Sequence, residues 1–327
     1  MWAIGDVLGD AVTPEVAAAW SEVYWLMAFA LVNTERGLYS ARGVRPEIVW
    51  RNWQVTEKVP ETDDVVTFRV KRVDDRPVRT SLPGQYVSIQ MSMPDGTRQP
   101  RQYSLSRADD GEHRQFSVKR VRGGDRPDGE VSNLLHDTVD VGDVVTLSLP
   151  FGDVVLDDSG RPLVFCSAGI GVSPMAGMLS HLVVAGSHFD VRVLHADLDE
   201  ESFALRRQVL DDVRALPRAT LQVWYEQGDG SLPVDARHAG TMDLSEVELP
   251  EGAAYYLCGP LPFMQAIRTA LLRRGVPQQD IGTRCSDPTC GRPTPSDERL
   301  ASQAVSPPAY AAWRLPTLRP SVRCPPR

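Results

Sequence analysis

Short segments in which apolar and polar residues alternate occupy the chain from about residue 45 to residue 155. Clusters of Asp, Gly and Pro, such as Pro83-Gly84 and Asp109-Asp110-Gly111, separate these segments. Alternation with a period of two residues indicates strands that bury one face. The clearest segments cover residues 65–70, 86–91, 115–120 and 144–149. Several short strands at this spacing predict a closed antiparallel barrel.

The pattern changes at about residue 160, where continuous apolar runs alternate with helical segments as far as residue 281. The apolar runs, which are typical of strands buried on both faces, cover residues 163–167, 191–195, 221–225 and 254–258. The helical segments cover residues 174–184, 202–215 and 262–274. The predicted fold class is therefore α+β and multidomain, with an antiparallel barrel over 45–155 and a parallel α/β domain over 160–281.

Residues 1–42 have apolar residues at helical spacing, including Trp20 and Tyr24, after a helix start at Thr13-Pro14-Glu15. Two helices are predicted, and two helices alone cannot bury so many large apolar side chains. This segment should pack on another domain or on a partner, and alone it should expose apolar surface and be poorly soluble. Its longest apolar run, residues 23–32, is about half of the ~20 residues that a membrane helix needs, so no membrane partner is expected.

Composition narrows the function classes. Hydrophobic residues make up 42% and charged residues 24%, as in globular proteins. The net charge of −8 argues against nucleic-acid binding, which needs a basic surface. The five cysteines have neither the spacing of a zinc site nor that of a secreted disulfide framework, so no metal is expected. Met1 is not followed by a basic and then apolar leader, which favours a cytoplasmic location.

Two segments of the barrel region have the chemistry of a flavin site. Alternation along a strand puts Arg101 and Tyr103 on one face, where the ring can pack on a flavin and the cation can bind a phosphate. Residues 128–136 place a turn before a short helix, whose free N–H groups can hold a pyrophosphate. Taken alone, the first segment is explained as well by an ordinary exposed strand as by a flavin site. The second is explained as well by a plain Ser-capped helix.

Two turns of the α/β region have the chemistry of a dinucleotide site. In residues 163–175 an apolar strand leads into Gly169-Ile170-Gly171, and Ser and Pro then open a helix. Glycines let the backbone approach a pyrophosphate, and a helix N-terminus favours its charge. Cys258-Gly259-Pro260 follows the last predicted strand, at the edge where such sheets bind ligands. The first turn lacks the G-x-G-x-x-G pattern, and the second is explained equally by a buried thiol before a Gly-Pro turn.

Together these segments identify a family. Their order along the chain resembles that in the ferredoxin-reductase-like flavoproteins. The motifs are P-G-Q-Y, R-Q-Y-S, G-x-V-S-N-x-L-H, A-G-I-G-x-S-P-M and C-G-P-x-x-F-M. Within them, residues 1–281 resemble the reductase part of the bacterial flavohemoglobins, which are nitric oxide dioxygenases. The resemblance implies an NAD(P)H-dependent oxidoreductase in which hydride passes to FAD. Single electrons would then pass to the haem of a globin domain, to dioxygen or to an artificial acceptor.

The resemblance also assigns residues. It implies that FAD is bound by Tyr86, Arg101, Gln102, Tyr103, Ser104, Val131 and Ser132. It implies that the nicotinamide dinucleotide is bound by Ala168, Gly169, Ile170, Gly171, Val172, Ser173, Cys258, Gly259 and Pro260. Tyr103 and Cys258 are the implied catalytic residues.

The preference between NADH and NADPH is a separate inference. Residues 197–201, after the second predicted strand of the α/β region, read D-L-D-E-E. Carboxylates at this place would repel a 2′-phosphate, so NADH is favoured over NADPH. A solvated helix start that is enriched in acidic residues explains the same sequence equally well.

The N-terminal segment departs from the family. Residues 1–42 resemble only the closing helices of the globin domain, and Glu22 matches the glutamate that supports the proximal histidine there. The first histidine of this chain is His113, so we expect no haem to bind this chain in the family's way. Complete nitric oxide dioxygenase activity is therefore not expected from this chain alone.

The C-terminal segment departs as well, because residues 282–327 replace the family's final Y-E-V-F-G-P strand. They contain nine Pro, seven Arg, no Lys and three acidic residues, and we predict a disordered tail. Bases that can encode residues 281–291 spell R-Y-E-V-F-G-P-D-L-W in a shifted frame, so our hypothesis is an out-of-frame tail. A natural disordered tail is the alternative. The alternatives for the function are a self-standing reductase for an oxygenase partner and a non-catalytic gene remnant.

Overall fold

The computed structural model describes residues 9, 12–41, 43–45, 48–74, 79–124, 127–227 and 237–285. These residues form five α-helices and two six-stranded sheets, the first antiparallel and the second parallel. The α+β fold class with an antiparallel barrel before a parallel sheet is thereby confirmed. Residues 1–8 and 286–327, and the predictions made for them, lie outside the described residues.

The antiparallel sheet has the strand order β4-β3-β6-β1-β2-β5. Its strands are β1 (Trp50–Pro60), β2 (Val65–Arg72), β3 (Tyr86–Ser92), β4 (Arg98–Ser104), β5 (His113–Lys119) and β6 (Val144–Ser148), with helix α2 (Glu130–Thr138) before β6. An antiparallel bridge between Leu105 and Phe116 joins the chain after β4 to β5. The two edge strands therefore meet, which closes the sheet around the buried side chains of Phe68, Ile89 and Leu147.

Strand β1 has no counterpart among the clearest predicted segments. Its apolar residues do not alternate regularly, because the register against β2 shifts between Val55 and Glu57. Such a bulge inserts one extra residue into a strand and moves the following side chains to the other face. A pattern with a strict period of two residues therefore does not detect β1.

The parallel sheet has the strand order β10-β9-β8-β7-β11-β12. Its strands are β7 (Leu163–Ala168), β8 (Val191–Asp197), β9 (Ala219–Tyr225), β10 (Arg237–Ala239), β11 (Ala254–Gly259) and β12 (Ile281–Cys285). Three helices connect them, α3 (Val172–Val184), α4 (Arg206–Ala215) and α5 (Leu261–Arg273). One core lies between the sheet and α3 and α4, and a second core lies between the sheet and α5. Strands buried on both faces explain the continuous apolar runs of the sequence.

Strand β12 corrects the prediction that the disordered tail begins at residue 282. Gly282 to Cys285 pair with β11, with Gly282 beside Tyr256 and Arg284 beside Cys258. The pairing uses backbone groups, so it does not require the apolar alternation that the sequence lacks here.

Helix α1 (Pro14–Ala41) is one uninterrupted helix of 28 residues, and the first of the two predicted helices falls mainly outside the described residues. The predicted apolar exposure is confirmed, since the exposed fractions of Trp20, Tyr24 and Met27 are 44%, 60% and 62%. By length and composition alone, Pro14–Ser40 could also cross a membrane. The sequence estimate, which counted only an uninterrupted apolar run, missed this property.

The joint between barrel and parallel sheet is formed by the chain that follows β4. A Cβ on Gly177, in α3, would overlap the carbonyl oxygen of Leu105 and lie 3.2 Å from its carbonyl carbon. Gln208, in α4, donates to the Ser106 carbonyl over 2.7 Å and accepts from the Gln115 amide over 2.9 Å. Helices α3 and α4 therefore pack directly on the end of β4.

We predict that Gly177→Ala destabilises the protein by about 1–3 kcal/mol, because neither backbone can move aside easily. Thermal or urea unfolding followed by circular dichroism measures the change. Gly37→Ala is the matched control, since Gly37 is also helical and a Cβ there meets no atom within 4 Å. That control should be neutral or stabilise α1 by roughly 0.5–1 kcal/mol. Equal stabilities of the two variants would contradict the close packing at Gly177.

Candidate functional site

The edge of the barrel brings the predicted phosphate-binding cation to the start of α2. Gln99 donates to the Glu130 carboxylate over 2.5 Å and accepts from Arg101 Nη2 over 2.9 Å. Arg101 also donates to the Pro100 carbonyl over 2.8 Å, and its side chain remains exposed. The N–H groups of a helix's first turn lack acceptors within the helix, and its N-terminus favours negative charge. This place on the barrel therefore suits a phosphate group.

Val131 and Ser132 contribute to this place through their backbone. The Val131 side chain is buried in the barrel core. Ser132 Oγ accepts a hydrogen bond from the Val121 N–H over 3.1 Å and donates to the Gly129 carbonyl over 3.0 Å. The hydroxyl of Ser132 thus holds the turn before α2, and the backbone N–H groups of the first turn are the donors suited to a ligand.

The register of β3 against β4 divides the other predicted flavin residues between two faces. Tyr86 lies opposite Ser104, and residues directly opposite each other in an antiparallel pair share a face. Tyr86, Gln102 and Ser104 therefore lie on one face, and the Gln102 amide donates to the Tyr86 hydroxyl over 3.3 Å. Arg101 and Tyr103 share the other face, as the sequence alternation indicates.

Tyr103 is half-buried, with its ring centroid 5.9 Å from that of Phe116. Burial raises the pKa of Tyr103 well above its usual range and outweighs the opposite effect of the Arg101 cation. The phenol therefore stays protonated at neutral pH and can donate a hydrogen bond. An aromatic ring held rigidly at the edge of the barrel can pack on a flat ligand.

The carboxyl edge of the parallel sheet brings together the two predicted dinucleotide turns. A Cβ on Gly171 would overlap the carbonyl oxygen of Cys258 and lie 2.8 Å from the Gly259 nitrogen. A Cβ on Gly259 would in turn lie 2.8 Å from a ring carbon of Phe263 and 3.2 Å from the Ala168 Cβ. The turn after β7 thus touches the backbone at the end of β11, which requires glycine at position 171, while a Cβ on Gly259 would crowd the side chains of Phe263 and Ala168.

Residues 168–173 and 258–260 therefore lie side by side at the carboxyl edge of the sheet, where open α/β sheets bind ligands in a crevice, and Pro260 is the N-cap of α5. The Val172 N–H is already bonded to the carbonyl of Gly169 within the turn. Ser173 Oγ, in the first turn of α3, is buried and has no hydrogen-bond partner among the described residues. A buried hydroxyl without a partner beside a glycine turn fits a pyrophosphate, which would supply the missing acceptor.

Cys258 is buried at this crevice, with an exposed fraction of 2%. Burial raises the pKa of its thiol to about 12, and the Arg284 cation opposes this effect only in part. The thiol therefore stays protonated at neutral pH and is not a base or nucleophile. If Cys258 has the catalytic role that the resemblance implies, it acts by contacting a bound ligand and not by transferring a proton or attacking as a thiolate.

Arg284 is a functional candidate that the sequence analysis did not include. Its guanidinium lies 4.4 Å from the ring centroid of Tyr86 and donates to the Gly84 carbonyl over 2.6 Å. On β12 the same residue lies beside Cys258. Arg284 therefore joins the flavin side of the barrel to the dinucleotide crevice. Only the backbone pairing of β12 reveals this position, because the surrounding sequence has no strand pattern.

Glu22 is the one predicted residue that lies apart from this site. It is exposed on α1, 17 residues before Tyr39, whose ring lies 5.7 Å from that of Phe151 at the barrel. At about 1.5 Å per helical residue, Glu22 is roughly 26 Å along the helix from that contact.

Comparison with known proteins identifies a family for most of the chain. Residues 52–155 match the family model described as an oxidoreductase FAD-binding domain. The flavohemoprotein of Bordetella pertussis is 40% identical over 290 residues, which cover 85% of this chain and 71% of the relative. The flavohemoprotein of Chromobacterium violaceum is 39% identical over 286 residues, covering 84% and 70% of the two chains.

Two solved structures extend the comparison to the fold. A Malassezia yamatoensis flavohemoglobin with bound FAD and heme has a TM-score of 0.70 and 31% identity, over 87% of this chain and 72% of that one. The FAD/NAD-binding domain of a Vibrio cholerae nitric oxide dioxygenase has a TM-score of 0.68 and 34% identity, over 73% and 99%. The Ulva prolifera cytochrome b5 reductase domain, 20% identical with a TM-score of 0.62, shares the fold.

We predict that Gly171→Ala weakens dinucleotide binding at least tenfold, because the new Cβ forces the turn away from Cys258 and a loss of about 1.4 kcal/mol suffices for that factor. Titration with NAD⁺ by calorimetry measures the loss, and FAD content should not change. Gly282→Ala is the control, since its Cβ would make only an ordinary contact at 3.4 Å with Val154. Unchanged NAD⁺ affinity in Gly171→Ala would show that the crevice is not the binding site.

Proposed function

Because the chain belongs to the flavohemoprotein family, we propose that it passes electrons from NADH through FAD to a haem acceptor. The chain is an FAD-dependent oxidoreductase whose cofactors are FAD and NAD(H). The acceptor, the preference for NADH and the individual binding residues are the proposed part. The observation that carries the proposal is the close approach of the Gly171 turn to the Cys258 carbonyl, which brings the two predicted dinucleotide segments together.

On the barrel side, we assign the FAD phosphates to Arg101 and to the first turn of α2. The hydrogen bonds that join Arg101 to Glu130 through Gln99 hold the cation beside that turn. Tyr103, which shares a face with Arg101, is assigned to the flavin ring. Tyr86, Gln102 and Ser104 lie on the opposite face of the two strands, so their assignment to FAD rests on the family resemblance. When bound, FAD accepts a hydride from a nicotinamide and releases electrons one at a time.

On the sheet side, we assign the dinucleotide pyrophosphate to residues 168–173 and the nicotinamide end to residues 258–260. Cys258 would meet the nicotinamide end with a protonated, uncharged thiol, because burial raises its pKa. Excluding water from the nicotinamide end protects the transferred hydride from solvent. The acidic residues 197–201 favour NADH over NADPH at the same edge of the sheet.

For the acceptor, we propose the haem of a globin-type protein, as in the relative that was solved with bound FAD and heme. Nitric oxide dioxygenation would then be carried out together with that haem. The first histidine in this chain is His113, on β5 of the barrel, so α1 supplies no histidine to iron. Dioxygen and artificial acceptors would replace haem in its absence. We place this activity in the cytoplasm.

The proposal predicts that the purified protein binds FAD, with an absorbance band near ~450 nm that NADH bleaches without oxygen. Arg101→Ala should lower the affinity for FAD about 10- to 100-fold, because it removes a charge-assisted hydrogen bond to phosphate. Equilibrium dialysis of FAD gives the affinity, and anaerobic titration with NADH gives the bleaching.

Arg207→Ala is the matched control, because the Arg207 side chain is 97% exposed on α4. It should leave both measurements unchanged. An FAD-loaded protein that NADH does not bleach would contradict the proposed activity. Equal FAD affinities of the Arg101 and Arg207 variants would contradict the assigned phosphate site.

A further inference from the structure

Three polar side chains form a buried hydrogen-bonded chain at the carboxyl edge of the parallel sheet. His195 Nδ1 lies 2.9 Å from Ser167 Oγ, and His195 Nε2 lies 3.2 Å from Asp197 Oδ2. Ser167 and His195 have no exposed surface, whereas the Asp197 side chain keeps an exposed fraction of 7%. Buried polar groups are costly unless they are bonded, and each member of this chain has a partner. Only Asp197 reaches the surface of the crevice.

The chain fixes the direction of the Asp197 carboxylate. A neutral imidazole can accept from the Ser167 hydroxyl at Nδ1 and donate to Asp197 from Nε2. The His195 ring stacks on Phe203, with a centroid distance of 4.0 Å and an angle of 29° between the planes, which favours this plane for the ring. The other oxygen, Asp197 Oδ1, accepts from the Leu198 N–H over 2.9 Å. Both carboxylate oxygens are thus held from within the protein.

Asp197 lies level with the glycine turn of the dinucleotide crevice. Ser167 pairs with His195 and Ala168 pairs with Ala196, so Asp197 is one residue beyond the partner of Ala168. In parallel α/β sheets, a carboxylate at the end of the strand next to the phosphate turn accepts from the ribose hydroxyls of a dinucleotide.

The other acidic residues of this segment have different partners. Asp199 accepts from the Ser202 N–H over 2.8 Å and so caps the following turn. Glu200 forms an ion pair with Arg206. Glu201 is exposed, so Asp197 is the carboxylate of this segment that a buried side chain holds at the level of the glycine turn.

We propose that His195 is a positioning residue for nucleotide selectivity, which holds Asp197 toward the adenosine ribose so that NADH is preferred to NADPH. The inference rests on the proposed function, because it takes the crevice as the dinucleotide site. His195 has no surface with which to touch the nucleotide, so it acts only through its neighbours. A 2′-phosphate would place its charge against the fixed carboxylate and be repelled.

The test compares affinities for NAD⁺ and NADP⁺, measured by calorimetry on the FAD-loaded protein. The wild type should bind NAD⁺ at least about tenfold more tightly than NADP⁺, and Asp197→Asn should remove most of this ratio. His195→Phe, which keeps a ring against Phe203 but loses both hydrogen bonds, should reduce the ratio roughly fivefold. His195→Gln can still donate to Asp197 and should therefore keep part of the preference for NAD⁺ over NADP⁺. In steady state, His195→Phe should raise the KM for NADH and leave kcat unchanged.

Tyr256→Phe is the control for a purely structural role. It removes two hydrogen bonds of the Tyr256 hydroxyl, to Asp157 N over 2.7 Å and to Val155 O over 3.2 Å, in the same sheet. It should lower stability without changing the NAD⁺/NADP⁺ ratio. If His195→Phe does not fold, Asp197→Asn and Ser167→Ala test the role of the hydrogen-bonded chain instead. Ser167→Ala should also reduce the ratio of NAD⁺ affinity to NADP⁺ affinity.

Two negative outcomes are distinguishable. A wild type that prefers NAD⁺ and variants that keep this preference overturn the role of His195 and leave the proposed function intact. A wild type that binds neither dinucleotide overturns the proposed function, and this inference with it.

Discussion

The backbone contact between Gly171 and the Cys258 carbonyl is the constraint on which the rest of the site depends. A side chain at position 171 would separate β7 from β11 at their carboxyl ends, where the chain turns into α3 and α5. Because Gly171 has no side chain, the N-termini of these two helices lie close together at the carboxyl edge of the sheet. The positive ends of these helices make the crevice suitable for a dinucleotide. The contact between Gly171 and Cys258 also determines the positions of the buried Ser173 hydroxyl and the protonated Cys258 thiol.

A second close approach, between Gly177 and the Leu105 carbonyl, determines where the barrel lies against that crevice. Gly177 lies six residues after Gly171, the N-cap of α3, so this one helix positions both the predicted dinucleotide turn and the end of β4. Arg284 joins the same two parts from the other side, through Tyr86 and the register with Cys258. Hydride transfer requires the two rings to be in contact, and a rigid joint with two contacts reduces the cost of aligning them.

The sequence predicts those features that depend on local pattern. Strands buried on both faces, the glycine turn and the helix after it all follow from apolar runs and turn residues. The sequence does not predict features that depend on contacts between segments distant in the chain. The adjacency of β7 and β11, which are separated by three other strands in the chain, is needed for the contact of Gly171 with Cys258. Likewise β12 pairs through its backbone, so nothing in its side chains reveals Arg284. The acidic residues 197–201 suggest selectivity, but only the bonds of His195 single out Asp197.

Helix α1 connects to the flavin side through two contacts. Tyr39, near its C-terminal end, lies against Phe151, and the backbone of Phe151 pairs with Tyr86. Burial raises the pKa of Tyr39 to about 12, so its hydroxyl stays protonated and donates to Glu35 over 2.7 Å. The end of α1 is thus fixed to the barrel, while its apolar residues from Trp20 to Val32 remain exposed. An acceptor domain that covers these residues would thus be joined to the barrel through Tyr39 and Phe151.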